Sequence, residues 1–391
     1  MPAPDPLHAD EGHATRVYMQ LSFRVTIAIT MGDPFGVGPE IVVKALADPH
    51  ARRRERASLA IVGVAGPLEA AATRAGLDHT RLWRRGTWAE LRSFSAEGVG
   101  TPGPLAQDEP CGALLIEPPN LARRFQDVHE YPRQATLLGG ESSFVCVEHA
   151  IDAALQPESP IRAIVTAPIS KEAWHLAGHI YPGHTELFAQ RFQAREFGMF
   201  FHAPARARGP DDGGVVFRTT HGPLNVMLAS IHVPLSRVPR ELTIGTVLSA
   251  IRLGTDAVRR LGVASPRVAV CGVNPHAGEN GILGDDEQRV VNPAIEAARE
   301  LGIDATGPHP GDTVFIAHAQ GKFDLVVAMY HDQGLIPVKL LAWDHAVNCT
   351  LGLAIPRTSP DHGTAFDIAG KNRADAGSMG AAIDLAIRLA E

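Results

Sequence analysis

The sequence predicts an α/β fold built on a largely parallel sheet. Two observations carry this. Short β-branched runs recur along the chain, each followed by a segment of helix formers, and three motif-rich loops each directly follow such a run. In order, Arg24 to Thr30 (RVTIAIT) is a first strand that meets the loop MGDPFGVGPE, after which IVVKALAD starts a helix. Ser58 to Val64 (SLAIVGV) is a second strand, followed by the helical PLEAAATRAG. Arg162 to Thr166 (RAIVT) is a buried strand leading through a proline to the helix KEAWHLAG. RVAVCGV from Arg267 repeats the pattern, and so does Asp324 to Met329 (DLVVAM). In such folds function sits in loops beyond the carboxyl ends of the strands, and MGDPFGVGPE, GVNPHAGE and YHDQG all occupy that position. Two stretches rich in Pro, Gly or polar turn residues, Thr87 to Pro132 and Ala203 to Gly214, read as surface loops. The opening MPAPDPLHADEGHATR is polar and proline-rich, so residues 1–22 are expected to be a disordered lead-in.

Length and composition bound the class. A chain of 391 residues is long enough for two domains or one elaborated one. A net charge of -7 and a pI near 6.2 leave no basic footprint for nucleic acid. Cys111, Cys146, Cys271 and Cys349 lie far apart without C-x-x-C spacing, so they read as small buried residues of a reduced protein. No apolar run approaches the ~20 residues of a membrane span. The N-terminus has no apolar stretch of signal-peptide type, and the expected location is the cytoplasm.

Three histidines sit in compact segments rich in Gly, Pro or carboxylates: His232 in SIHVPL, His276 in NPHAGENG and His331 in MYHDQGLIPVK. Imidazole is the commonest protein ligand for a divalent metal, and loops giving one imidazole each can build a metal site that stays open to substrate. The opposing consideration is that a lone histidine usually just satisfies hydrogen bonds, and the chain has 18. His221, in RTTHGPL, competes with His232. The loop GDPFGVGPE has neither the G-x-G-x-x-G order nor a GK[ST] ending, so it is neither a dinucleotide fingerprint nor a P-loop; Asp33 and Glu40 are available as caps. PGHTELF puts His184 and Thr185 at a helix start, suited either to an anion or to an N-cap by Thr185 with Glu186 in the first turn. Lys339, Asn348 and Arg357 are solvated singly; together they can clamp a phosphate or carboxylate.

The segments TMGDPFGVGPEIVVKAL, VTAPISKEA, GHTELF, NPHAGE, GPHPGDTVF, MYHDQGLIPVKLL, NCTLGL and PRTSPDHGTAFDIAGK occur in one order from Arg24 to the C-terminus. Together they resemble the 4-hydroxythreonine-4-phosphate dehydrogenase family of pyridoxal-phosphate biosynthesis. DHGTAFDIAGK also resembles the cofactor loop of isopropylmalate and isocitrate dehydrogenases. The resemblance implies a two-domain fold like theirs, with an interdomain active-site cleft. It divides the chain into residues 23–180 plus 356–391, and residues 181–355 carrying the metal ligands and a dimer interface. It implies a homodimer with a shared site, a divalent metal (zinc, magnesium or cobalt) and NAD or NADP. The metal ligands it implies are His232, His276 and His331, with His232 preferred to His221 because VPLSRVP matches the continuation after that ligand. Substrate positions are His184, Thr185, Lys339, Asn348 and Arg357; dinucleotide positions are His362, Gly363, Thr364, Asp367 and Asn372. Lys171, Asp312 and Asp332 sit in motif loops and are the candidates for the catalytic proton acceptor.

The implied reaction is oxidation of the secondary hydroxyl of 4-(phosphohydroxy)-L-threonine, giving a β-keto acid that decarboxylates to 3-amino-2-oxopropyl phosphate. The alternative is the same chemistry on 4-phospho-D-threonate or 4-phospho-D-erythronate. Phe35 departs from the family, which has a small residue there, and is expected to narrow the cleft or mark a different substrate; the 203–214 stretch is longer than the family norm. Two readings from other classes compete: a metal-dependent hydrolase with no nicotinamide, opposed by DHGTAFDIAGK, and a non-catalytic metal- or phosphate-binding protein.

Overall fold

The computed structural model describes residues 25–49, 51, 54, 57–91, 113–125, 132–205 and 222–391. The expected lead-in at 1–22, His221, Cys111 and most of the 203–214 stretch lie outside them. The strands are β1 (Val25–Thr30), β2 (Ala57–Val62), β3 (Arg84–Arg85), β4 (Ala113–Ile116), β5 (Ile161–Thr166), β6 (Gly198–Ala203), β7 (Leu224–Leu228), β8 (Val268–Cys271), β9 (Ala305–His309), β10 (Leu325–Ala328), β11 (Val347–Leu351) and β12 (Arg357–Pro360). They form one sheet in the order β3-β4-β2-β1-β5-β12-β11-β6-β7-β10-β8-β9.

Both outer parts of the sheet are parallel; only the centre, where β11 pairs with β12 and β6, and β6 with β7, is antiparallel. The expected α/β class with a largely parallel sheet is therefore what the chain adopts. All five expected strands form, as β1, β2, β5, β8 and β10, with ends shifted by one or two residues. Their β-branched residues face cores on both sides, which is why they read as continuous apolar runs without alternation. The expected helices follow at Gly38–Leu46, Ala65–Arg74 and Lys171–Leu176.

Within the 87–132 stretch, taken as surface loop, Ala113–Ile116 is a fully buried strand paired with β2. Four apolar residues between prolines and glycines are too short to reveal a period, and the flanking turn chemistry hid them. Cys146, Cys271 and Cys349 are free and buried, as expected.

Around the first half of the sheet the packing is tight. Helix Leu137–Leu155, capped by the Thr136 hydroxyl on the Gly139 N–H (2.9 Å), crosses helix Lys171–Leu176 so closely that a Cβ on Gly140 would stand 1.9 Å from the Ala173 carbonyl oxygen. Trp174, fully buried, donates its indole N–H to Ser143 Oγ at 3.0 Å, so the core polar group is satisfied. This rigid contact sets the position of Lys171 at the start of its helix.

Candidate active site

The three candidate metal ligands follow adjacent parallel strands. His232 comes after β7, His331 after β10 and His276 after β8, and these strands are neighbours in the order β7-β10-β8. Strand adjacency thus brings together residues far apart in sequence, at the carboxyl ends where open α/β sheets hold ligands. The imidazoles of His232 and His331 lie with ring centroids 5.9 Å apart. His331 Nδ1 is 2.7 Å from Asp332 Oδ1, a contact that favours the neutral tautomer with its proton on Nδ1 and its lone pair on Nε2. His232 Nδ1 stands 3.8 Å from Glu186 Oε1, a contact that with Lys171 holds the Glu186 carboxyl below its ordinary range. His331 is not in a loop, as the sequence suggests, but is the first residue of helix His331–Ala342; Gly334 and Pro337 inside it hid the helical pattern.

His276 opens a left-handed turn. Residues 276–280 all have positive φ, and four of the five carry side chains. This conformation costs roughly 1–2 kcal/mol per non-glycine residue and needs outside support. Glu287 supplies it: Oε1 accepts from the Val273 and Asn274 N–H groups (2.8 and 2.7 Å), and Oε2 accepts from Asn274 Nδ2 (3.0 Å). Among the described residues no group of three His, Cys, Asp or Glu side chains is placed to hold a metal ion. His232 and His331 lie near each other, and His276 follows the next strand in the sheet.

The substrate-side candidates converge on the central strands. Arg357, on β12, is buried at 3% exposure, and among the described residues its guanidinium hydrogen-bonds hydroxyls and lies by an aromatic face: Nε donates to Thr166 Oγ1 (2.9 Å), Nη1 to Thr350 Oγ1 (3.5 Å), and its carbon lies 5.9 Å from the Phe188 ring centre. Burial pulls its pKa down to about 10. Thr185, on helix His184–Arg191, joins the cluster through Thr350 (3.4 Å). The expected N-cap by Thr185 is corrected: the cap position is Gly183, whose backbone is extended, and no side chain caps the helix. His184 Nε2 and Asn348 Oδ1 are buried without a hydrogen-bond partner among the described residues. Burial first, then Arg357 and Lys171, hold the His184 pKa well below its ordinary value, so the ring is neutral.

Lys171 borders the same space: its Cε and Nζ stand 3.5 and 4.0 Å from where a Cβ on Gly183 would be. Lys339 pairs with Asp361 (3.1 Å) and stacks over Trp343. Asp312 is exposed after edge strand β9, and no described contact ties it to the histidine pair. His362, Gly363, Thr364, Asp367 and Asn372 share one loop, which rests on the GDPFGVGPE loop through a 2.9 Å bond from the Val37 N–H to the Thr364 carbonyl.

Phe35 is 3% exposed and packs on Phe125 with ring centres 6.1 Å apart, so the core takes up most of its bulk, and its remaining surface borders a small cavity with Pro34, Gly36 and Pro39. Asp33 and Glu40 are not helix caps in the expected sense. Asp33 Oδ1 accepts the Phe35 N–H (3.0 Å), while burial raises its pKa to about 6. Glu40 Oε1 accepts from Lys44 Nζ and from the distant Ala374 N–H. Sequence reasoning did not single out Thr166, Glu186, Thr350, Asp361 or Glu287 as site residues. The first four stand inside quoted motifs, VTAP, GHTE, NCTLGL and PRTSPDHGTAFDIAGK; Glu287 carried no local signal.

Comparisons with known proteins identify the family. Residues 111–386 match the family model described as pyridoxal phosphate biosynthetic protein PdxA. D-threonate 4-phosphate dehydrogenase of Salmonella typhimurium is 41% identical over 370 residues, 93% of this chain and 99% of the relative. 4-Hydroxythreonine-4-phosphate dehydrogenase of Beijerinckia indica is 40% identical over 363 residues, 93% of this chain and 94% of the relative. The crystal structure of 4-hydroxythreonine-4-phosphate dehydrogenase from Klebsiella pneumoniae superposes with a TM-score of 0.71 at 37% identity, covering 94% of this chain and 99% of that one. The chain belongs to the PdxA family and is a dehydrogenase of that type.

Proposed function

We propose that the protein oxidises the secondary hydroxyl of 4-(phosphohydroxy)-L-threonine with NAD or NADP, and that the resulting β-keto acid decarboxylates to 3-amino-2-oxopropyl phosphate. The observation that carries the reading is Arg357: a buried guanidinium that, among the described residues, hydrogen-bonds two threonine hydroxyls and no carboxylate has donors suited to an anion. His184, on which Arg357 acts, has a buried Nε2 without a partner among the described residues and offers a further polar contact to a substrate.

The steps follow from the residue types. Arg357, Lys339, His184, Thr185 and Asn348 hold the substrate's anionic groups and fix its orientation. A divalent metal on His232, His276 and His331 would act as a Lewis acid, making the hydroxyl more acidic and stabilising charge during loss of carbon dioxide. The 362–372 loop would hold the nicotinamide cofactor, which would supply the hydride acceptor. Asp332 acts through His331 by orienting its ring, which leaves Lys171 as the proton acceptor we favour over Asp332 and Asp312.

The sheet order supports the two-lobe division: every strand of 23–180 and 356–391 lies on one side of the β12–β11 junction, and every strand of 181–355 on the other. Exposed Ile336, Leu340 and Trp343 make one stripe on the helix that starts at His331, which fits a homodimer contact beside the site. No described helix is long and apolar enough to cross a membrane.

The second reading, oxidation of D-threonate 4-phosphate, is favoured by the Salmonella relative's identity and near-complete coverage. The deciding experiment compares kcat/KM for the two phosphorylated substrates and identifies the product. Faster turnover of 4-(phosphohydroxy)-L-threonine with release of one carbon dioxide per hydride supports the first reading; turnover of D-threonate 4-phosphate alone replaces it with the second.

A further inference from the structure

β8 and β10 run side by side, paired in parallel from Val268 with Leu325 to Val270 with Val327. Past those residues one strand end leads to His276 and the other to His331. The same register carried two residues further sets Gly272 opposite Met329, and there a side chain takes over from the ladder. Gln333, in the first turn of the helix that starts at His331, accepts the Met329 N–H at Oε1 (2.7 Å) and donates from Nε2 to the Gly272 carbonyl (2.8 Å). Two hydrogen bonds in series through an amide reach further than the single bond of a ladder, so the strand ends stay tied where direct pairing has stopped.

Each end of this bridge bears on a candidate ligand. Met329 stands two residues before His331, whose Nδ1 faces Asp332 and whose Nε2 is left for a cation. Gly272 lies under the left-handed turn of His276: a Cβ there would stand 2.7 Å from Ala277 Cα. The Gly272 N–H is already given to the His309 carbonyl of β9 (2.9 Å), and its carbonyl is the group that Gln333 takes. The GPHPGDTVF segment closes over the amide, where a Cβ on Gly311 would stand 2.9 Å from Nε2. Met329 offers a donor and Gly272 an acceptor, so the bridging group must supply one of each. A glutamine amide does; a carboxylate supplies acceptors alone, and a thioether is at best a weak one.

We propose that Gln333 is a positioning residue for metal binding: its amide locks the segment of His276 to the segment of His331 and holds both imidazoles in place for a divalent cation. Both amide atoms are used in the bridge, so Gln333 acts through these two segments and not as a ligand. The inference rests on the reading of the histidines as metal ligands. The test titrates the full-length protein, stripped of metal, with zinc in a calorimeter, for wild type, Gln333→Met and Gln333→Glu. Methionine keeps the length and loses both bonds; glutamate keeps the acceptor for Met329 and loses the donor for Gly272. Leu115→Ala, a core cavity in β4 near the other edge of the sheet, controls for lost stability alone. The expected result is a Kd for zinc that rises about tenfold or more in both Gln333 variants, with a shifted visible spectrum of the cobalt-loaded protein. Leu115→Ala should melt lower with Kd and spectrum unchanged. Amide exchange at Met329 should quicken in Gln333→Met and stay slow in Gln333→Glu. Gln333 variants that melt lower yet keep the wild-type Kd and spectrum would make the glutamine a brace and overturn the proposal; so would equal weakening of zinc binding in Leu115→Ala. A wild type that binds neither zinc nor cobalt would instead sink the metal-ligand reading, and the proposal with it.

Discussion

Replacing Arg357 with methionine separates a substrate receptor from a structural brace. Methionine keeps most of the unbranched apolar stem and removes the charge. If Arg357 grips the substrate's anion, its charge-assisted hydrogen bonds contribute about 1.5–3 kcal/mol, and their loss lowers kcat/KM roughly 10- to 150-fold. Stability should respond differently. The guanidinium is desolvated at 3% exposure and is hydrogen-bonded to hydroxyls, and the Glu186 carboxylate offsets burial of its charge only in part, since its pKa still falls. Exchanging such a group for an apolar one of similar length is close to neutral, within about 1 kcal/mol, because the desolvation penalty disappears with the hydrogen bonds. Steady-state kinetics on the phosphorylated substrate and a urea midpoint on the same preparations read both quantities. A variant destabilised by several kcal/mol yet fully active per folded molecule would refute the reasoning, since the arginine would then be a brace.

Four further outcomes follow from the same geometry. Asp33 has its folded pKa raised by burial to about 6 from 3.8, so it binds its proton more tightly when folded, and stability falls as pH climbs from about 4 through 6. Asp33→Asn should therefore gain up to about 3 kcal/mol at neutral pH and almost nothing near pH 3.5, read by denaturant midpoints across that range. His202 behaves oppositely: burial lowers its pKa from 6.5 to about 4, so stability is full above pH 6.5 and declines by up to about 3 kcal/mol as pH falls towards 4. That decline should flatten in His202→Gln. Alanine at His232 or at His331 should cut the bound metal measured by elemental analysis without lowering the melting temperature, since both rings are substantially exposed. Glu287→Gln should weaken metal binding about tenfold or more and speed amide exchange at Val273 and Asn274, because the carboxylate that accepts both N–H groups holds the left-handed turn of His276.

The sequence carried the fold wherever a buried parallel strand wrote a continuous apolar run, as at 25–30, 57–62 and 325–328. It did not carry β4, whose four residues are too short to show a period, or the helix at His331, whose interior Gly334 and Pro337 argue against helix by propensity. In the site, motif loops located the residues but not their duties. GHTE read as an N-cap or an anion seat, and only the fold showed Thr185 turned to Thr350 and Glu186 turned to His232. Phe35 looked like a cleft residue because its side chain's direction depends on Phe125, which lies 90 residues later in the chain. The Arg357–Thr166 contact spans 191 residues, and no local pattern encodes a separation of that kind.

The central claim is hydride transfer from a phosphorylated hydroxy acid, and the growth of reduced-nicotinamide absorbance tests it most directly. Metal-loaded protein would be mixed with NAD or NADP and 4-(phosphohydroxy)-L-threonine, and separately with the same compound stripped of its phosphate. The account predicts steady reduction with the phosphorylated substrate and at least a tenfold lower kcat/KM without the phosphate. Equal rates on both would remove the anion receptor from the account, and no reduction with this substrate or with D-threonate 4-phosphate would contradict the claim itself.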